Sequence, residues 1–90
     1  AAIEQCAAEL WPNELSATAA LPDPRKGERV ILVTQQKGAA RSDFIAYARM
    51  KGLSELMIPS EVIVVDRLPL LGSGKIDFAG VTKFVRERAA

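Results

Sequence analysis

The run Val30-Ile31-Leu32-Val33-Thr34 constrains this chain more than any other segment. Successive side chains of a strand point to opposite faces. A continuous β-branched and apolar run therefore needs cover on both faces. In a chain of 90 residues there is room for one core-bearing domain, so the expected solution is a single small sheet with helices packed on it.

The flanking segments supply the remaining parts. Ile3, Cys6, Ala7 and Leu10 recur at helical spacing, and Trp11-Pro12 closes that helix. Ser16 to Leu21 is Ala-rich and has poor strand propensity. It leads into the turn segment Pro22-Asp23-Pro24-Arg25-Lys26-Gly27, which lets it pair antiparallel with the strand at Val30. Ser42 is the expected cap of a second helix that Gly52 stops. Phe44, Ile45 and Ala48 lie on its inner side, with Asp43 and Lys51 at the ends that suit their charges. Glu61 to Asp66 is a further strand. Asp77 is the expected cap of a last helix, in which Phe78, Val81 and Val85 form the apolar stripe and Lys83, Arg86 and Arg88 oppose it. The fold class is α+β: a small sheet of about three strands plus a short hairpin, covered by about three helices.

Composition removes several kinds of function. The 12 Lys+Arg against 11 Asp+Glu leave a net charge of +1, with 6% aromatic residues and no aromatic–basic motif, which disfavours nucleic-acid binding. The lone Cys6 has no partner for an internal disulfide and reads as a small buried hydrophobe. Without histidine there is no Ser/His/Asp or Cys/His catalytic set, and no metal ligation is expected. No apolar run approaches the ~20 residues that a membrane-spanning helix needs. The abrupt start at Ala1, inside an apparent helix, reads as a piece of something larger.

Gly72-Ser73-Gly74-Lys75 is the segment with chemical content. Two glycines permit close backbone approach, and the lysine brings one mobile positive charge to phosphate or carboxylate. The plain alternative is an exposed turn. It is not a Walker A loop, because Pro69 stands at the first glycine position and Ile76 at the Ser/Thr position.

The wider context is more specific. Pro59 through Asp77, with Leu68-Pro69-Leu70-Leu71-Gly72-Ser73-Gly74-Lys75-Ile76 in register, resembles the closing motif of the adenylate-forming enzymes. Ala20 to Glu28 resembles that superfamily's Pro-Asp turn and the strand after it. The likeness covers nearly the whole chain as the small C-terminal subdomain. Leu71 stands where the family has threonine and Phe78 where it has arginine. These departures look most like the bacterial acyl–acyl-carrier-protein synthetases, the 2-acylglycerophosphoethanolamine acyltransferases.

The resemblance implies a C-terminal lid of a larger ligase that uses ATP and magnesium, neither held by these 90 residues alone. Lys75 would be catalytic, and Gly72, Ser73 and Gly74 would position phosphate or shape the loop. The implied partners are a large N-terminal adenylation domain and a thiol acceptor, either an acyl carrier protein or coenzyme A. Lys37, Arg41, Arg49 and Lys51 are the candidate carrier-docking cations. The resemblance puts the parent enzyme on the cytoplasmic side and leaves its association with the inner membrane open. A fatty acyl-CoA synthetase lid and a non-catalytic interaction module are the competing readings.

Overall fold

The computed structural model describes residues 2–25 and 27–89, so Lys26 of the expected turn and the start at Ala1 lie outside the described residues. Elements follow the order α1 (Ala2–Leu10), β1 (Ser16–Asp23), β2 (Gly27–Thr34), α2 (Arg41–Lys51), a short 3-10 turn (Glu55–Met57), β3 (Glu61–Val64) and α3 (Phe78–Ala89). The sheet runs β1-β2-β3. β1 pairs antiparallel with β2 from Ser16↔Thr34 to Asp23↔Gly27, and β2 pairs parallel with β3 from Ile31↔Glu61 to Thr34↔Val64.

The β2 run is covered on both faces, as its sequence requires. Ile31 and Val33 join Ala17, Ala19, Leu21, Ile63, Val81 and Val85 in the cluster beneath α3. Leu32 joins Ile3, Cys6, Ala7, Trp11 and Phe44 beneath α1 and α2. Trp11 and Phe44 meet edge to face, with ring centroids 6.3 Å apart and planes at 64°. The small side chains of Ala17 and Ala19 face α3 and are buried, which explains why an Ala-rich segment serves as a strand here. Pairing along its whole length to β2 outweighs its weak intrinsic preference.

Three local expectations are corrected. Ser42 is not the cap of α2. The helix starts at Arg41 with Ala40 in the cap position (φ −138°, ψ 156°), and the Asp43 carboxylate accepts the Ala40 amide at 3.0 Å instead. β3 stops at Val64 rather than Asp66. The Val65 amide still reaches the Thr34 carbonyl at 2.9 Å, but β2 ends there and offers no further rung. Phe78, the first residue of α3, is 50% exposed and outside the cluster that Val81 and Val85 join, whereas Leu68 belongs to that cluster and Ile76 packs against it.

An edge strand with free amides invites pairing with other chains. On β1, α1 answers this: Glu4 Oε2 accepts both the Thr18 amide and the Thr18 hydroxyl at 3.0 Å.

Candidate functional site

The segment from Leu68 to Asp77 leaves the sheet and returns to start α3, and each end is pinned. At its root the Leu68 amide donates to Gln35 Oε1 at 2.8 Å, and Leu68 itself is buried. Gln35 is in turn fixed by its own amide, which donates to the Leu15 carbonyl at 2.9 Å. Leu70 and Ile76 form an antiparallel bridge, so the residues between them make a small hairpin. Inside it the Leu71 amide donates to the Lys75 carbonyl at 2.7 Å, and the Gly74 amide to the Leu71 carbonyl at 2.8 Å. Gly74 sits at φ 89°, where a side chain would be strained, so this glycine is a condition of the turn.

The return is capped. The Asp77 amide donates to the Pro69 carbonyl at 2.9 Å, and Asp77 Oδ1 accepts the Gly80 amide at 3.0 Å as the N-cap of α3. A Cβ on Gly80 would lie 2.8 Å from Asp77 Oδ2 and 3.0 Å from the Pro69 Cβ. Gly80 therefore lets the helix start close against the arm that carries the hairpin.

The hairpin presents Lys75 in solvent on a backbone held at root, neck and exit. Gly72 and Ser73 are also exposed at the tip, and Leu70, Leu71 and Phe78 flank it, each half-exposed. Chemically this is a positioned cation with an apolar collar. It suits stabilisation of anionic charge in a site that a second surface completes.

No family model matches the chain. Solved structures do match in fold. The amide bond synthetase McbA from Marinactinospora thermotolerans matches at TM-score 0.74 and 26% identity, over 91% of this chain and 17% of its own. The acyl-CoA synthetase of Brucella canis matches at TM-score 0.75 and 23% identity, over 99% of this chain and 17% of its own. ATP-bound MatB from Rhodopseudomonas palustris matches at TM-score 0.76 and 24% identity, over 98% and 18%. These neighbours are adenylate-forming enzymes. The chain shares their fold. It spans less than a fifth of the length of each of these three enzymes.

Within this fold the four candidate docking cations do not share one place. Arg41 and Arg49 line a groove between α2 and the 3-10 turn, and the Arg41 Nε donates to the Pro59 carbonyl at 2.8 Å. Lys51 belongs to the other side of α2, with its Nζ 5.8 Å from the Tyr47 ring centroid. Lys37 is exposed in the connection before α2 and lines neither. Cys6 is buried in the α1/α2 cluster, and burial, with the Glu9 carboxylate adding to it, pushes its thiol up, away from nucleophilic character.

Gln35 and Gly80 are site-supporting residues that sequence reasoning missed. Gln35 acts on Leu68 across 33 positions of chain, which leaves no local signal. Gly80 did carry one: a glycine in the first turn of a helix costs stability unless something needs the space.

Proposed function

We propose that this chain is the C-terminal lid of an ATP-dependent, AMP-forming acyl-activating ligase, and that Lys75 is its catalytic residue. The observation that carries the reading is the pinned hairpin: an exposed lysine on a fixed backbone, in a fold shared with adenylate-forming enzymes. ATP enters as substrate, and one structural neighbour is an ATP-bound enzyme. Among the described residues no three His, Cys, Asp or Glu side chains converge to hold a metal ion, and no step here runs through magnesium.

In the first step a fatty acid carboxylate oxygen bonds to the α-phosphorus of ATP. The bond from that phosphorus to the bridging oxygen breaks, and pyrophosphate leaves. The Lys75 ammonium holds the two anions together and stabilises the charge of the displacement. Gly72 and Gly74 let the tip enter a narrow cleft, and the Ser73 hydroxyl offers a donor to phosphate oxygen. In the second step a thiolate sulfur bonds to the acyl carbon, the acyl–phosphate C–O bond breaks and AMP leaves.

The acceptor in this reading is the thiol of an acyl carrier protein, and the role is acyl supply for phospholipid acylation at the cytoplasmic side of the inner membrane. The Leu71 and Phe78 departures support that subfamily. The likeness to an acyl-CoA synthetase favours coenzyme A as the second reading, and an acceptor assay separates the two.

The decisive test is ATP–pyrophosphate exchange in the full-length protein with a fatty acid present, comparing wild type with Lys75→Ala. Exchange is expected to fall at least about 100-fold, close to 3 kcal/mol of transition-state stabilisation. A change within a factor of about two, worth under ~0.5 kcal/mol, removes Lys75 from the reaction and leaves the loop a turn.

A further inference from the structure

We propose that the groove between α2 and the 3-10 turn docks an acidic amphipathic helix of a protein partner. Under the function proposed above, on which the partner's identity rests, that helix belongs to the thiol-bearing carrier.

The groove has a volume of about 650 Å³. Arg41, Ile45 and Arg49 line it from α2 at i, i+4 and i+8, which places them on one helix face. At 1.5 Å per residue the two arginines stand about 12 Å apart along the axis. That separation matches carboxylates two turns apart on a partner helix. Arg41 spends one of its five N–H donors on the Pro59 carbonyl at 2.8 Å, which fixes the guanidinium and leaves four donors for a carboxylate.

The opposite wall carries the apolar side chains of Leu53, Leu56 and Ile58, together with Glu55 and Ser60. Leu56 is 88% exposed, the most exposed large apolar side chain among the described residues. It stands at a rim rather than inside an enclosure. A small anion would meet one arginine at a time and leave this rim wet. A helix laid into the groove covers it and presents carboxylates to the arginines at the same time. Glu55, the one carboxylate of the groove, lies on the 3-10 side and repels a helix set down in the reversed charge register.

The test is binding of fluorescently labelled holo acyl carrier protein to the full-length protein, alongside its KM as acyl acceptor. Arg49→Glu and Leu56→Ser change exposed side chains, so the fold stays intact. Each is expected to weaken binding and raise the carrier KM at least fivefold, with ATP–pyrophosphate exchange within a factor of two. Lys83→Glu, a reversal on exposed α3, is expected to change neither. The proposal is overturned by unchanged binding in both groove variants, by an equal effect of Lys83→Glu, or by a KM shift for coenzyme A in place of the carrier. Binding needs no turnover. Carrier binding by the wild type that the groove variants lose therefore supports the groove even if Lys75→Ala leaves exchange unchanged, and no carrier binding by the wild type overturns the proposal.

Discussion

Gly80 occupies the third position of α3, where its amide closes the Asp77 cap at 3.0 Å. Two effects of Gly80→Ala oppose each other. Alanine gains up to about 1 kcal/mol of helix propensity. Its Cβ meets Asp77 Oδ2 at 2.8 Å and Pro69 Cβ at 3.0 Å, and the carboxylate cannot retreat without breaking the cap. Loss of a cap costs about 0.5–2 kcal/mol, and displacing Pro69 adds to it. The steric term wins, so Gly80→Ala is expected to destabilise by about 1 kcal/mol and lower Tm by roughly 4–8 °C. A raised Tm in thermal unfolding contradicts this close approach. At this scale the residues of the candidate turn were legible and its distant supports were not. Lys75, Gly74 and Asp77 announce themselves by type and spacing, whereas Gln35 acts through a contact that only folding creates.

At the scale of elements, α1 and α2 are tied by polar contact as well as by their shared core. The Tyr47 hydroxyl donates to Glu9 Oε1 at 2.8 Å. That hydrogen bond, with lesser contributions from burial and from the charge of Glu9, raises the Tyr47 phenol above its ordinary value. Burial raises Cys6 in the same direction. Both groups hold their protons more tightly folded than unfolded. Their contribution to stability is complete below the ordinary thiol and phenol range of roughly pH 8.5 to 10, and is lost as pH rises through the raised values. Denaturant unfolding from pH 7 to 11 is therefore expected to show an alkaline decline, shallower in Tyr47→Phe. Parallel curves for the two proteins would refute the coupling. Element identity was largely readable: three helices and three strands follow the apolar spacing. Element ends were less so. The stop of β3 is set by where β2 ends, and the cap of α2 by Asp43 reaching back to Ala40, neither of which local propensity encodes. The 3-10 turn at Glu55–Met57 had no sequence signal beyond Ser54, whose hydroxyl accepts the Leu56 amide at 3.1 Å.

For the whole molecule, surface is the informative quantity. The domain exposes 5925 Å². The size scaling of folded monomers gives about 5,100 Å² at this mass, an excess of roughly 800 Å². One partner's share of a standard protein interface is of that size. The shape agrees: principal extents of 37 × 35 × 21 Å describe a slab with broad faces. Leu70, Leu71 and Phe78 stand half-exposed around the lysine hairpin. Under the proposed function this domain supplies the Lys75 cation and a larger domain supplies the substrate pocket. The isolated 90 residues are expected to fold yet give no ATP–pyrophosphate exchange. Exchange above the buffer rate by the isolated domain refutes the proposed role as a lid.

The sequence by itself determined what is periodic or local: a two-faced central strand, the helices that cover it, the glycine-lysine turn and the likeness carried by its register. Those features follow from side-chain alternation, helical spacing and backbone permissiveness, which act over a few residues. Only the tertiary structure decided which distant groups meet. It separated Arg41 and Arg49 from Lys51, turned Phe78 outward, set Gln35 on Leu68 and opened the groove beside Leu56. Such pairings depend on how helices seat on the sheet, and that seating is a property of the packed core rather than of any stretch of chain.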